Sequence, residues 1–303
     1  MSNGALDANP GNIPIINQVP EKPVDIALTV RGSDWYWTVT AIMTVATIVF
    51  VGWSYTIPRT KRVFHYITAA ITLVAAIAYF TMASNLGWTP INVEFQRLGD
   101  MKVSGYTREI FYVRYIDWFI TTPLLLSDLL LTAGLPWPTI LYTILLNEVM
   151  IVTGLVGALV QSSYKWGYFV FGCLAFLAVA WNVTWTARKH ANALGPDVSR
   201  IYLITGVWTI GLWFLYPIAW GLCEGGNVIS GDSEAIFYGI LDVLAKPAFG
   251  AILLFGHRNI DPARLGLHIR DYDDDPASVA GTHSSHHGEK GAPRNGAPTT
   301  EAV

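Results

Sequence analysis

Seven apolar segments, each about 20 residues long, follow one another along this chain and are joined mostly by short polar connections. A helix of that length crosses the hydrocarbon core of a bilayer, and within lipid only helices and closed barrels satisfy every backbone hydrogen-bonding group. The sequence therefore predicts an all-α membrane protein folded as a seven-transmembrane-helix bundle. The predicted segments are Asp34–Tyr55, Phe64–Leu86, Ile110–Leu131, Trp137–Val160, Gly167–Ala187, Ile201–Cys223 and Ala235–Phe255.

The composition supports a membrane protein, because 52% of the 303 residues are hydrophobic and only 14% are charged. The net charge of −3 and the lack of a long basic run argue against nucleic acid as a partner. Cys173 and Cys223 lie within apolar segments, which favours packing roles over a disulfide or a metal site.

The polar stretches predict three regions and one hairpin. Residues 1–33 are expected to be a flexible extracellular tail, residues 34–257 the membrane domain, and residues 258–303 a cytoplasmic and largely disordered tail. The longest connection joins the second and third segments. It contains Ile91–Phe95 and Met101–Tyr106 around Gly99–Asp100, which is the pattern of a short β-hairpin.

Lysines and arginines concentrate in the connections at one end of the predicted bundle, which the positive-inside rule identifies as the cytoplasmic end. The expected protein is thus a multi-pass protein of the plasma membrane, surrounded by lipid, with its amino terminus outside and its carboxyl terminus inside. Whether it forms a homo-oligomer stays open. The basic residues are Arg59, Lys61, Arg62, Arg188, Lys189, Arg200, Arg258 and Arg264.

Lys246 lies near the middle of the seventh segment, with Asp242 one helical turn before it. A charged lysine at mid-bilayer costs roughly 2.5–3.5 kcal/mol on insertion scales, so it needs a partner or a covalent role. The pair therefore indicates a functional site inside the bundle.

The third segment carries a column of polar side chains on one helical face: Arg114, Asp117, Thr121 and Asp128. Asp117 and Asp128 are ~16 Å apart along the helix, too far to act on one atom, so we interpret them as two stations of a proton relay. An alternative for Arg114 and Asp117 alone is a structural ion pair. Asp128 is expected to be a neutral acid, because leucines flank it on both sides.

Aromatic residues in the sixth segment recur at helical spacing, at Trp213, Tyr216 and Trp220. Such a stripe alone is more typical of packing, but with Trp118 and Gly154 it indicates a slot for a flat conjugated ligand. A lysine in this slot suits a Schiff base with a polyene aldehyde, for which nearby carboxylates would be counter-ions.

Three strings carry a resemblance to a known family: RYIDWFITTPLLLSD from Arg114, WFLYPIAW from Trp213 and LDVLAK from Leu241. Over about Asp34 to Phe255 the chain resembles the microbial rhodopsins, most closely light-driven proton pumps of the bacteriorhodopsin and fungal rhodopsin type. The resemblance implies all-trans retinal on Lys246.

The resemblance also implies roles for the charged residues. Asp117 and Asp242 would be counter-ions, with Asp117 the primary proton acceptor, and Asp128 would be the cytoplasmic proton donor. Arg114 and Thr121 would belong to the proton path, with Glu224 and Glu234 as the external release group. The residues that match the retinal pocket are Trp118, Thr122, Leu125, Gly154, Trp213, Tyr216 and Trp220.

Two positions depart from the family pattern. Asn147 stands where the family often has a carboxyl group, with Glu148 beside it, and Met82 stands where a pocket tyrosine is common. Neither departure removes a proton station.

The leading hypothesis is a light-driven outward proton pump, a transporter rather than an enzyme, with protons as its cargo. The alternative is a photosensory receptor that signals through a partner, and Asp128 argues against it because sensors of this family commonly lack a carboxylic donor there. Lys246 argues against a retinal-free chaperone-like protein. Asp117 argues against a chloride pump, because its negative charge would occupy the place of the anion.

Overall fold

Seven long helices dominate the computed structural model, which describes residues 24–97 and 99–269. Each helix packs on the next along the chain, and α7 closes the ring by packing on α1. The predicted seven-helix bundle is confirmed. The helices are α1 Val30–Ser54, α2 Val63–Ala83, α3 Tyr112–Thr132, α4 Trp137–Leu159, α5 Lys165–Ala193, α6 Pro196–Gly225 and α7 Gly231–His257.

Six of these helices in the described part of the chain are long and apolar enough to cross a membrane. The exception is α3, whose composition is more polar because it carries Arg114, Asp117 and Asp128, all buried inside the bundle. Large apolar side chains point outward around the ring, as expected for a surface in contact with lipid. Examples are Val45, Ile48, Ile77, Leu141, Leu145, Phe171 and Val207.

Helix α7 changes its winding at the functional lysine. Residues Leu244–Ala248 form a π-helical turn that includes Lys246 and Pro247. Pro247 has no backbone N–H, so the regular hydrogen-bond ladder cannot continue through it. The Trp208 indole N–H on α6 donates to the carbonyl of Leu244 at 3.0 Å. This bond satisfies a backbone group at the irregular turn and fixes its position.

The connection between α2 and α3 contains two antiparallel strands, β1 Thr89–Asn92 and β2 Thr107–Ile110. The predicted hairpin is confirmed, but its strands lie closer to the helices than the sequence pattern suggested. The physical reason is anchoring, because β2 leads almost directly into α3 and pairs with a second neighbour, the segment around Ile26, besides β1. Ile26 N–H donates to the Thr107 carbonyl at 2.9 Å, and Glu109 N–H donates to the Ile26 carbonyl at 3.0 Å.

The folded domain extends beyond the predicted 34–257 at both ends. Residues 24–29 pack along the hairpin, and Thr29 caps α1, which begins at Val30 rather than Asp34. After α7, a short helical turn at Pro262–Leu265 buries Leu265 against the bundle. Residues 24–33 and 258–265 thus belong to the folded domain rather than to the tails expected there, because they bury apolar side chains such as Ile26, Leu28 and Leu265. Residues 1–23 and 270–303 lie outside the described residues.

Candidate functional site

Lys246 forms the centre of the site, where its amine contacts two carboxylates. The Nζ atom donates to Asp117 Oδ2 on α3 and, at 3.1 Å, to Asp242 Oδ2 on α7. All three side chains are almost wholly buried, at 2% exposure or less. Three buried charges require mutual compensation, and two carboxylates around one ammonium leave a net negative charge beside the amine.

Asp242 is the more fully hydrogen-bonded carboxylate of the two. Tyr79 donates to its Oδ2 at 2.8 Å, Tyr216 donates to its Oδ1 at 2.6 Å, and the Trp118 indole lies 3.4 Å from Oδ1. By contrast, Asp117 Oδ1 has no hydrogen-bond partner within the described residues. The two counter-charges are therefore unequal, because hydrogen-bond donors stabilise an ionised carboxylate.

Tyr79 explains why the departure at Met82 leaves the site intact. Met82 is fully buried one helical turn after Tyr79 on α2, so both residues lie on the face that looks into the bundle. The Tyr79 hydroxyl reaches Asp242 from its position three residues earlier. Helix α2 therefore supplies a tyrosine donor to Asp242 although Met82 is apolar.

A cavity extends from Lys246 between α3, α4, α5 and α6. Its walls are almost entirely apolar and aromatic, which is typical of a site for a hydrophobic ligand. All seven residues predicted for the pocket line it: Trp118, Thr122, Leu125, Gly154, Trp213, Tyr216 and Trp220. The sequence did not predict other lining residues, among them Met150, Phe169, Cys173 and Phe176.

The cavity has the chemistry that a retinal Schiff base requires. A primary amine lies at one end, carboxylates stand beside that amine, and the walls are flat rings. At Gly154, a Cβ atom would lie 3.5 Å from the Tyr115 ring, so a larger side chain would occupy space along the wall. These residues fit a polyene bound covalently to Lys246.

Arg114 lies one turn toward the hairpin from Asp117, but it does not pair with that residue. Its guanidinium donates to Glu234 Oε1 at 2.6 Å and to the Tyr36 hydroxyl at 2.8 Å. It also lies 3.5 Å from Glu224 Oε1. The alternative of an Arg114–Asp117 ion pair is therefore wrong.

A second arginine, Arg108 on β2, binds the same glutamate. Its Nη2 donates to Glu234 Oε2 at 2.6 Å, and its Nη1 donates to the side chain of Asn227 at 2.9 Å. Each oxygen of Glu234 thus accepts from a different buried guanidinium. Glu224 has a different environment, since it accepts from the hydroxyls of Tyr115 at 3.0 Å and Tyr238 at 3.1 Å. The hairpin half of the bundle, defined by Arg108, Arg114, Glu224 and Glu234, is a connected network of charges.

Asp128 lies near the other end of α3, and its surroundings define the Asp128 half of the bundle. Its carboxyl is completely buried, accepts one hydrogen bond from the Thr68 hydroxyl at 3.0 Å, and has an unpartnered Oδ1 among the described residues. No cation pairs with it in that part of the chain. Leucines of the same helix belong to the buried apolar cluster of this half: Leu125, Leu126, Leu129, Leu130 and Leu131.

The remaining predicted residues act through the α3 backbone or lie beside the cavity. The Thr121 and Thr122 hydroxyls donate to the carbonyls of Asp117 and Trp118 at 2.8 and 2.7 Å. The Asn147 amide donates to Thr122 Oγ1 at 2.7 Å and to Glu148 at 3.3 Å. Asn147 thus ties α4 to α3 at the wall of the cavity.

Sequence reasoning missed several residues of the site: Tyr36, Thr68, Tyr79, Arg108, Tyr115 and Tyr238. The sequence around these residues gave only a weak indication of a role in the site. Tyrosines and threonines on apolar helices have ordinary packing roles as well, and Arg108 stands in a loop sequence next to an acid that could balance it.

Comparisons with known proteins agree with this geometry. The profile of the family described as bacteriorhodopsin-like protein matches residues 32–260. The chain is 65% identical over 272 residues to the opsin-like protein carO of Fusarium fujikuroi, covering 90% of this chain and 86% of that protein.

Two solved structures show the same fold. A light-driven proton pump from Leptosphaeria maculans is 37% identical, with a TM-score of 0.74 over 80% of this chain and 100% of that chain. Halorhodopsin, a light-driven chloride pump, is 27% identical, with a TM-score of 0.72 over 79% of this chain and 100% of that chain.

Proposed function

The chain belongs to the family of bacteriorhodopsin-like proteins, the microbial rhodopsins, and we propose that it is a light-driven pump that moves protons outward across a membrane. Proteins of this kind are transporters and not enzymes. The proposal includes all-trans retinal as the chromophore, bound covalently to Lys246. It also includes the plasma membrane as the location, with the hairpin end of the bundle outside.

The observation that carries the proposal is the unequal pair of carboxylates at Lys246. Asp242 accepts hydrogen bonds from two tyrosine hydroxyls, which suit it to serve as a fixed counter-charge. Asp117 Oδ2 contacts the same amine, while its Oδ1 lacks a partner within the described residues. Asp117 is therefore the carboxylate that can take the proton from Nζ.

Retinal, when bound at Lys246, would supply light absorption and a change of shape that alters the proton affinity and direction of Nζ. The protein supplies the path. Asp117 accepts the Nζ proton and loses its negative charge, so Arg114, one helical turn away, is drawn more strongly toward the glutamates that it already contacts. Arg114 already contacts Glu234 and lies near Glu224, so a shift in its position changes the proton affinity of that group.

Return of a proton to Nζ would come from the opposite half. Asp128 is buried among leucines without a cation among the described residues, an environment in which the neutral acid is favoured over the carboxylate. A neutral acid carries its own proton and can donate it toward Nζ. Release through the hairpin half and reloading through the Asp128 half make the transport outward.

A pH measurement on illuminated cells tests the proposal. Cells that express the protein with added all-trans retinal should acidify an unbuffered medium in light, and a protonophore should abolish the signal. Alkalinisation of the medium would mean that protons move inward. A light response without any pH change would favour a sensor. A signal that depends on chloride would point to an anion pump, which Asp117 disfavours because its charge lies beside Nζ.

A further inference from the structure

Two buried histidines lie at the ends of helices in the Asp128 half. His65 is in the first turn of α2 and is 6% exposed, while His257 is the last residue of α7 and is 8% exposed. Their aromatic neighbours are Trp53, with its ring 5.3 Å from His65, and Phe64, with its ring 4.2 Å from His257. The proposed mechanism uses neither histidine so far.

His65 has an unusual lack of partners for a buried polar side chain. Both ring nitrogens are buried and have no hydrogen-bond partner within the described part of the chain. Native proteins satisfy nearly all such groups, so an unsatisfied pair points to water or to proton exchange. His65 precedes Thr68 by one turn on the same face of α2, and Thr68 donates to Asp128.

His257 is linked through a second threonine to the main-chain carbonyl of the same aspartate, whose side-chain carboxyl Thr68 contacts. Its Nδ1 lies 2.8 Å from the Leu253 carbonyl, which can only accept, so Nδ1 carries a hydrogen. Its Nε2 lies 3.1 Å from Thr132 Oγ1, and Thr132 Oγ1 lies 2.6 Å from the carbonyl of Asp128.

The single hydroxyl hydrogen of Thr132 cannot serve both neighbours. If Thr132 donates to the Asp128 carbonyl, Nε2 must donate to Thr132, and His257 is a cation. If His257 is neutral, Thr132 donates to Nε2 instead. The protonation state of His257 is thus coupled to the orientation of a hydroxyl one turn from Asp128.

We propose that His65 and His257 form the proton-entry station that reloads Asp128 from the cytoplasm. This proposal rests on the proposed pump function. A proton from solution binds an imidazole, and the imidazolium then gives it to the Asp128 carboxylate through water, leaving a neutral imidazole and a neutral acid. Histidine suits this exchange because its charge changes near neutral pH.

The charged and titratable groups around the station are few among the described residues. Arg62, in the connection before α2, is close enough to His65 to act on its charge, and His65 acts in the same way on His257. Thr68 donates to the Asp128 carboxyl, whereas Thr132 donates to the main-chain carbonyl of the same residue. Among the described residues, the Asp128 carboxyl is therefore the group to which a proton from either histidine would pass.

The test measures proton uptake after a flash, with a pH dye on the cytoplasmic side of oriented membranes and with the infrared carbonyl band of Asp128. Wild type is compared with His65→Phe, His257→Gln and Thr132→Val. His190→Gln, an exposed histidine at the cytoplasmic end of α5, is the matched control. Each variant must retain the dark absorption band, which shows that it has folded.

We expect reloading of Asp128 to slow roughly 10-fold or more in His65→Phe and His257→Gln, with no change in His190→Gln. Thr132→Val should slow it less. In one further variant, His257→Ala, which leaves space where the ring was, added imidazole should restore the rate. If wild type pumps and both histidine variants reload Asp128 at the wild-type rate, the histidine proposal is wrong and the pump remains. If wild type moves no protons in light, the pump proposal itself has failed.

Discussion

The hairpin half and the Asp128 half of the bundle handle buried charge in opposite ways. In the hairpin half, two arginines and two glutamates are joined by contacts of 2.6 to 3.5 Å, and tyrosine hydroxyls donate to both carboxylate oxygens of Glu224. In the Asp128 half, one acid lies among leucines with a threonine as its hydrogen-bond donor. A network of paired ions can redistribute charge without large penalties, whereas a lone buried acid is stable only when neutral.

This difference indicates how a single helix, α3, could contribute to both proton release and proton uptake. Helix α3 contributes Arg114 to the charged network, Asp117 to the lysine, and Asp128 to the apolar half. The proposed direction of transport follows from this gradient of polarity. Substitutions that make the two halves more alike should therefore change transport before they change the fold.

The largest effect on light absorption and transport is expected at Lys246, which lies between the hairpin half and the Asp128 half. Lys246→Ala removes the amine that would bind retinal, so protein produced with all-trans retinal should show no visible absorption band and no light-driven pH change. Lys189→Ala, on the exposed end of α5, should keep both. An absorption spectrum decides the matter, and a visible band that survives Lys246→Ala would end the retinal proposal.

The next effect concerns Asp117, the proposed proton acceptor on the side of Lys246 that faces the hairpin half. Asp117→Asn removes one of the two charges at Nζ, so the positive charge would spread along the polyene, the absorption band should move to longer wavelength, and pumping should stop. Asp117→Glu keeps the charge and should remain closer to wild type in colour. Unchanged colour and transport in Asp117→Asn would assign the acceptor role to another residue.

Asp128→Asn should remove the proton donor from the Asp128 half of the bundle. Recovery of the dark absorption after a flash should slow by roughly 10²-fold and become strongly pH-dependent, because the proton must then come from dilute solution. Azide, a small diffusible acid, should partly restore the rate. Glu148→Gln, a carboxyl on α4, is the control. Fast and pH-independent recovery in Asp128→Asn would remove the functional contrast between the halves.

The smallest effect concerns Glu109, a buried acid of the hairpin beside Arg108. Burial raises the pKa of the Glu109 carboxyl from 4.5 to about 8, against the hydrogen bond from Leu28 N–H at 2.7 Å. The folded state therefore holds this proton more tightly than the unfolded chain.

The contribution of the Glu109 proton to the free energy of unfolding is complete below about pH 4.5. As the pH rises toward 8, this contribution, at most about 5 kcal/mol, is lost. Thermal denaturation at pH 5 and pH 8 should show this loss in wild type and a smaller loss in Glu109→Gln. Asp100→Asn, an exposed acid in the same connection, should behave like wild type. Identical pH dependence in wild type and Glu109→Gln would mean that Glu109 stays ionised when buried.

The sequence by itself determined the seven helices and the column of α3, because both depend on local spacing. Apolar runs of membrane-spanning length predict helices, and residues three, four and seven apart share a helical face whatever surrounds them. For the same reason, the four-residue spacing of Asp242 and Lys246 was enough to predict that their side chains are neighbours on one helix.

Only the tertiary structure decided which charges pair, because those contacts join residues that are far apart in the chain. Arg114 binds Glu234 across 120 residues, Arg108 reaches the same acid across 126, and Tyr79 reaches Asp242 across 163. No local pattern encodes such a contact. It depends on the closing of the helical ring and on the hairpin folding back over its end, which bring these side chains into a region where unpaired charges are costly.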